Sequence, residues 1–472
     1  MPVPVVNIAQ MREWENATWA AGQTEAEVIR RVGAKIAHAA LPMTRPGDTI
    51  LILAGKGHNG DDARAARERL CERRVETLDV VAPENDLPKL EAVLRSRPAL
   101  IIDSLFGIGL NRALDDGWKK FLTAVNESKI SVLAVDVPSG LNGDTGEPQG
   151  AAIAASVTLT VGAPKTGLLR EAAWPFVGRL EVAADVGLAP CPHQSAAQWT
   201  LPEDFIGYPP PRMAATHKGS YGHLAIVAGS LGYHGAAVLA ARGAQRAQPG
   251  LVTLYPQESI YHAVASQLQA VMVNVWKPEA KLPESASAVL IGPGLAAPEF
   301  VEELKTMTRQ LWRRQARDSF LPVVVDASAL DWLVPHALAK NEIRVVTPHP
   351  GEAARMLGKT AQQVQANRPQ AVRDISQRFG DCWVVLKGHQ TLVGRSTGEI
   401  FVNPSGNPHL AQGGSGDVLA GFIAGLLAQP ALQADVGKTI RFAVWLHGAT
   451  ADALQAARTN WVVEDLIERL GI

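Results

Sequence analysis

What most limits the folds open to this chain is a series of short apolar runs that do not alternate with polar residues. They are Thr49 to Ala54, Ala99 to Ile102, Ile130 to Val135, Leu224 to Ala228, Ala288 to Ile291, Val323 to Val325, Ile343 to Val346 and Trp383 to Leu386. A strand that exposes one face to water alternates, so unbroken apolar strands separated by helix-like stretches imply parallel sheets covered on both faces. The fold class is therefore α/β, with Rossmann-like three-layer organisation in both halves. Between the halves, Gly187 to Arg212 carries Pro190, Pro192, Pro202, Pro209, Pro210 and Pro211, which cannot continue a helix or a central strand. The expected domains are 1–205 and 206–472. No fixed-period repeat marks a solenoid.

Composition narrows the partners. Among 472 residues, 45 basic and 46 acidic side chains nearly cancel, so nothing singles out a nucleic acid or a membrane surface as partner. Small molecules become the expected ligands. The N-terminal MPVPVVNIAQMREWEN has neither an export pattern nor an Arg-rich organelle address, which points to the cytoplasm. Ala151 to Ala163 and Val418 to Ala428 are too short to span a bilayer. Cys71, Cys191 and Cys382 are odd in number and widely spaced, so neither a disulfide scaffold nor a structural zinc site is expected.

In doubly wound sheets, ligands bind at the carboxyl ends of the strands. In the first half, Gly55-Lys56-Gly57-His58-Asn59-Gly60-Asp61-Asp62 follows the first strand and precedes a helix expected over Ala63 to Arg74. Formally this is GxGxxG, with Asp79 roughly where a ribose-binding acid would be sought. Asp61 and Asp62 would nevertheless occupy the first helical turn and repel a phosphate there. Two further strand ends deliver Asp103 with the loop Phe106-Gly107-Ile108-Gly109-Leu110, and Asp136 with Ser139. Together these loops make an oxygen-rich cavity suited to a cation and to general-base work.

In the second half, Gly413-Gly414-Ser415-Gly416-Asp417 runs into an apolar helix. Amides of Gly414, Ser415 and Gly416 can form an anion nest, with Asp417 beside it as a base for a substrate hydroxyl. Lys387-Gly388-His389-Gln390-Thr391 suits a nucleotide phosphate. His349, in Thr347-Pro348-His349-Pro350-Gly351-Glu352, is placed for a ligand contact. Gly292-Pro293-Gly294-Leu295 and Asp326 to Leu330 complete the edge, and no GxxxxGK[ST] is present.

The first three loops, with Ala163-Pro164-Lys165-Thr166-Gly167-Leu168, resemble the YjeF N-terminal family, the NAD(P)H-hydrate epimerases. The resemblance implies that His58 to Asp62 hold substrate and that Asn59, Asp103 and Ser139 bind potassium. It also implies that Gly107, Ile108, Gly109, Leu110, Asn111, Arg112 and Ala113 line the substrate phosphate or ribose, and that Asp136 moves the proton. Lys165 could contact substrate, although a solvated loop lysine is the plainer expectation. The family loop reads NNGGDG, whereas His58, Asp61 and Ala63 stand here at three of its positions, which bears on epimerase activity.

From Lys218 onward, the ordered series KGSYG, AGS, GAA, GPGL, TPHPGE, KGHQT and GGSGD is similar to the ribokinase-like YjeF C-terminal family, the NAD(P)H-hydrate dehydratases. The resemblance implies that Ala237, Gly294, His349 and Asp417 contact the hydrated cofactor, NADHX or NADPHX, and that Lys387 to Thr391 with Gly416 contact an adenine nucleotide accompanied by Mg2+. Bacterial members use ADP, and an untargeted fusion of both domains looks bacterial, so ADP is expected. Ser328 stands where relatives have a second Asp, and Ala296 follows GPGL where Gly is usual. The expected protein epimerises the R and S hydrates and dehydrates the S form, as a homo-oligomer. The rival readings are a ribokinase-like small-molecule kinase fused to a non-catalytic nucleotide-binding domain, and a nicotinamide-dependent oxidoreductase using Gly55 to Gly60.

Overall fold

A computed structural model describes residues 2–110, 112–313, 321–336 and 342–471. The chain divides into two compact units, between Trp199 and Thr200. That division falls inside the proline-rich stretch, where the short strand Ala197–Trp199 pairs antiparallel with Val3–Pro4.

The first unit holds a six-stranded parallel sheet in the order Arg74–Asp79, Thr49–Ala54, Leu100–Ser104, Val132–Val135, Val157–Val161, Arg179–Ala183. Strand alternation sends Ile50, Ile52, Ile102 and Leu133 to one face, against helices Glu25–Ala40 and His58–Ala66. Leu51, Leu53, Ile101 and Val132 go to the other, where Phe121, Leu122 and Leu90 of helices Asp116–Glu127 and Pro83–Arg95 meet them. Both faces are dry, which is why the strands need not alternate in sequence. The chain leaves Thr49–Ala54 in one direction, then returns to its other side with Leu100–Ser104. This is a topological switch point, where the loops after the two strands diverge and open a crevice.

The second unit repeats the plan. Parallel strands run in the order Trp383–Leu386, Arg344–Val346, Val323–Val325, Ala288–Ile291, His223–Val227, Leu251–Tyr255, and the antiparallel strands Leu392–Gly394 and Ile400–Val402 extend the first of them. The switch point lies between His223–Val227 and Ala288–Ile291. Helix Ser415–Leu427 is apolar nearly all round and is buried from Val418 to Leu427 against helix His234–Arg246, as an apolar helix requires.

One expected element differs. The helix after the first strand runs from His58 to Ala66, not from Ala63 to Arg74, and Arg74 opens an additional strand. The glycine loop is thus the first turn of the helix itself. Gly60 permits this, because a Cβ there would stand 2.1 Å from the Gly55 carbonyl oxygen.

Candidate functional site

Each unit gathers its polar residues at the carboxyl edge of its own sheet. In the first, Asp103 ends its strand fully buried. Its two oxygens accept from the Ser139 amide at 2.8 Å and the Ser139 hydroxyl at 2.6 Å. Burial pushes its carboxyl up to about 6, against those hydrogen bonds. No lysine or arginine pairs with it among the described residues, so a bound monovalent cation would supply the charge this carboxylate lacks, and the oxygens of Asp103 and Ser139 fit such an ion. Asn59 stands nearby on helix His58–Ala66, with a buried side-chain nitrogen that finds no partner among the described residues.

Asp136 begins the next strand-end loop in a left-handed conformation, φ 67°, which is strained for a residue with a Cβ. Asp136 Oδ2 and the Asn59 amide carbon lie 3.2 and 3.3 Å from the point where a Cβ on Gly107 would sit, so Gly107 brings these two side chains and its own loop to one spot. Lys165 is 1% exposed. Its ammonium pairs with Asp136 and donates to Thr160 Oγ1 at 3.1 Å and the Val161 carbonyl at 2.8 Å. The expectation of a solvated loop lysine is corrected: the Val6 amide bonds the Pro164 carbonyl, and the Lys165 loop is pinned with its side chain inward.

Asp62, one turn beyond Asn59 on the same helix, is buried and makes no hydrogen bond or ion pair among the described residues. Burial, then the neighbouring charges of Asp136, Asp61 and Glu15, push it up to about 8. Glu15, on helix Ile8–Ala20, is raised by the same causes, burial first and then Asp136. The first unit therefore holds an ion-paired carboxylate and, close enough to feel its charge, a second one pushed far above the usual carboxylate range. Environments that separate two carboxylates in this way are how a site assigns base and acid.

Other expected contacts in this unit sort out differently. His58 is exposed and faces Glu25 at 3.5 Å, and Asp61 turns to Arg64 at 2.8 Å. Asp61 has an ordinary helical backbone, so the acid in place of the family glycine carries no strain. Gly60 is buried against Gly55 and serves packing. Gly109, Arg112 and Ala113 are exposed, Gly107 and Ile108 half-buried, and Leu110 buried; Asn111 lies outside the described residues. Asp79, the sought ribose acid, is clamped by Arg64 at 2.7 Å, which leaves its carboxylate committed and weakens a dinucleotide reading.

In the second unit, Gly414 adopts the left-handed conformation, φ 95°, and caps helix Ser415–Leu427 without any side-chain cap. The amides of a helix's first turn have no intrahelical acceptor, so those of Gly416 and Asp417 are available to an anion. The nest is narrower than expected at Ser415: its amide bonds the Gln412 carbonyl at 3.4 Å and its hydroxyl the Leu410 carbonyl at 2.8 Å. Asp417 is half-buried and makes no hydrogen bond among the described residues. Burial, with Asp326 and Glu352 adding to it and Lys387 opposing, raises its carboxyl to about 7.

The Lys387 ammonium lies 3.4 Å from the Cβ position of Gly416, under the nest. It bonds Asp326 at 2.9 Å and approaches Glu352 at 3.9 Å. Burial works against this ammonium, but Asp326 and Glu352 outweigh it and raise its pKa. Thr347 donates to the same Asp326 oxygen at 2.6 Å. His349 caps helix Pro350–Leu357, its Nδ1 accepting from the Gly351 amide at 3.0 Å, while about half of its side chain stays exposed. Gly294 closes the switch-point crevice, where Ser230 Oγ donates to its carbonyl at 2.7 Å. Ala237, expected to contact substrate, is completely buried and packed below Gly229. In the loop after Trp383–Leu386, Gly388 and His389 are exposed, Gln390 has φ 51° and a buried side-chain nitrogen without a partner among the described residues, and Thr391 Oγ1 donates to the Gly388 carbonyl at 3.1 Å.

Several contributors could not be read from local sequence. Asp62 stood out as a loop acid, but its burial without an ion-pair partner among the described residues depends on tertiary packing. Glu15 lies more than forty positions away from that loop, on a helix with no motif. Asp326 was visible as a strand-end acid, but its partnership with Lys387 spans two strands.

These geometries can be set beside known proteins. Residues 224–470 match the family described as NAD(P)H-hydrate dehydratase, and residues 77–167 match the one described as YjeF-related protein N-terminus. The second match includes Asp103, Asp136, Ser139 and Lys165 but not the loop at His58 to Asp62. The chain is 32% identical to a bifunctional NAD(P)H-hydrate repair enzyme of Coxiella burnetii, over 98% of each chain. It is 34% identical to one of Gloeobacter violaceus, over 99% of this chain and 97% of that one. Among solved structures, a ribokinase-like superfamily protein of Enterococcus faecalis is 24% identical, with TM-score 0.50, covering 59% of this chain and 95% of its own. An ADP/ATP-dependent NAD(P)H-hydrate dehydratase of Bacillus subtilis, co-crystallized with ATP/Mg2+, is 32% identical with TM-score 0.48, covering 55% of this chain and 91% of its own.

Proposed function

The chain belongs to the bifunctional NAD(P)H-hydrate repair enzymes, and from that premise we propose that its two carboxyl-edge clusters divide the repair between them. The protein joins an epimerase-like N-terminal domain to a dehydratase C-terminal domain. Its substrates are NADHX and NADPHX, nicotinamide rings inactivated by a hydroxyl. The first domain, within 1–205, interconverts the R and S hydrates. The second, within 206–472, restores the dihydronicotinamide from the S form at the expense of ADP.

In the first domain, inversion requires the hydroxyl to leave with a proton and water to return to the opposite face of the same carbon, losing one. Asp62, raised to about 8 and therefore protonated at neutral pH, supplies the acid; Asp136, paired with Lys165, is the base. The backbone turns at Gly107 and Ile108 approach the nucleotide end of the substrate. Potassium would be held by Asp103, Ser139 and Asn59, and would contribute fixed positive charge beside the reacting ring.

In the second domain, water is a poor leaving group and phosphate a better one. Asp417 takes the proton of the substrate hydroxyl, whose oxygen attacks the terminal phosphorus of ADP and displaces AMP. The first-turn amides at Gly416 and Asp417 and the Lys387 ammonium stabilise charge on the transferred group. The carbon–oxygen bond then breaks, phosphate departs with the bonding electrons, and the adjacent carbon loses a proton to restore the double bond. Asp326 and Glu352 face Lys387, so magnesium would be held chiefly by the nucleotide phosphates, whose charge it neutralises.

The observation that carries this reading is Asp417: a carboxyl without a hydrogen-bond partner among the described residues, raised to about 7, beside a lysine-backed glycine nest. Asp417→Asn should abolish dehydration and leave epimerisation intact, as followed by separating the two hydrates by chromatography. Accumulation of a phosphorylated product by the unaltered protein, with no restored dihydronicotinamide, would favour the kinase reading. A homo-oligomeric state and residence in the cytoplasm belong to the same proposal, and light scattering checks the first. No single helix among the described residues is long and apolar enough to cross a membrane.

A further inference from the structure

Arg368 opens helix Arg368–Arg378, 21 positions before the nearest loop carbonyl that it binds through Nη1, yet its side chain lies beneath the loop that follows strand Trp383–Leu386. It is 7% exposed. Nη1 donates to the carbonyls of His389 and, at 3.3 Å, Gln390; Nη2 donates to that of Leu386 at 3.2 Å. Nη2 also lies 3.4 Å from the Cβ position of Gly388, whose φ of 132° only glycine adopts readily. Three carbonyls are thereby drawn inward around one planar fork, and Gln390 is held left-handed above it.

The charge of this group is the unexplained part. Arg368 has no carboxylate partner among the described residues, its Nε is buried without any acceptor, and it stands in the first turn of a helix, where the dipole disfavours a cation. A buried cation with no counter-charge is costly. The neighbouring Lys387 differs, because Asp326 and Glu352 answer it. Burial, and then Arg368 itself, lower the pKa of His389, so the imidazole adds no second charge at neutral pH. An uncancelled guanidinium beneath a loop with exposed Gly388 and His389 is suited to a ligand that brings negative charge.

We propose that Arg368 is a positioning residue of the nucleotide site, which clamps the Leu386 to Gln390 carbonyls from below and offers an unmatched positive charge to the anionic end of ADP. The proposal rests on the reading that Lys387 to Thr391 form the nucleotide loop. Hydrogen exchange of the full-length wild type with and without ADP tests that reading separately: protection at 387–391 supports it, and no protection removes it.

With protection established, Arg368→Met and Arg368→Lys test the residue by binding of ADP and of adenosine, which carries no charge. Losing a charge-assisted set of bonds is expected to weaken ADP by about tenfold or more, raising its KM with little change in kcat, while adenosine weakens far less. Arg368→Lys keeps charge without the fork and should fall between wild type and Arg368→Met. Equal weakening of ADP and adenosine, or unchanged ADP binding, would overturn the proposal. Should Arg368→Met fail to fold, Arg368→Lys decides alone: a selective loss of ADP supports the role, and wild-type binding of both ligands contradicts it. The epimerase rate of each variant reports that the first domain is intact.

Discussion

Replacing Lys165 with Met tests the electrostatic construction of the first site. Its side chain is 1% exposed and that of Asp136 11%, so their pairing is not screened by solvent. The ammonium also satisfies Thr160 and Val161. Removing one partner of a buried pair leaves the other charge uncompensated, which costs about 3–5 kcal/mol, a large part of the ~5–15 kcal/mol that holds a typical domain folded. Removing both charges in Lys165→Met/Asp136→Asn costs much less than the single change, because a buried pair replaced by uncharged side chains is often close to neutral. Chemical denaturation read by hydrogen exchange in strand Val157–Val161 measures this for the first unit, and dehydratase activity serves as the control for the second. Epimerisation should fall by roughly 10²–10⁴-fold in either variant, because proton transfer through Asp136 is lost. A single variant less than about 1 kcal/mol weaker than wild type would refute the reasoning, since surface pairs are worth that little; so would a double variant as unstable as the sum of its parts.

Two further outcomes follow from carboxyl groups pushed upward. Asp417 acts as a base when ionised, so the dehydratase kcat/KM should rise with pH through about 7 and level off above it, and a profile without that limb counts against Asp417. Asp62 titrates at about 8 in the folded protein and near 4 when unfolded, so between those values the folded state binds the extra proton and stability falls as pH rises. Asp62→Asn removes this penalty: its gain in denaturation midpoint should be larger at pH 8 than at pH 5, while epimerisation is lost, and a gain independent of pH would contradict the assignment.

The fold was legible because burial on both faces leaves a plain mark on sequence. Thr49 to Ala54, Ala288 to Ile291, Val323 to Val325 and Trp383 to Leu386 are strands with the bounds their composition gave. Arg74–Asp79 is hard to see in sequence because it reads RVETLD, an edge strand half open to water, and its first residue, Arg74, is also the expected end of the preceding helix. At the sites, Asp103 and Asp136 were visible as acids ending or following strands, and Asp417 as an acid after a glycine loop at the start of an apolar helix. What sequence could not show was their company. Lys165 is buried because Val6 holds its loop, Glu15 approaches Asp62 from a helix near the N-terminus, and Arg368 reaches a loop across its own helix. Such pairings depend on topology, and no local spacing encodes them. Conversely, the close packing of Ala237 and Gly60 within their glycine- and alanine-rich motifs shows only in the fold.

The division of labour is tested most directly by giving an equal mixture of R and S hydrates with ADP to the unaltered protein and to Asp136→Asn, and following recovery of dihydronicotinamide absorbance. The account predicts complete recovery by the first, whereas the second should stop once the S form, half of the mixture, is spent. Complete recovery by Asp136→Asn at the wild-type rate, or a halt at half with the unaltered protein, would contradict it.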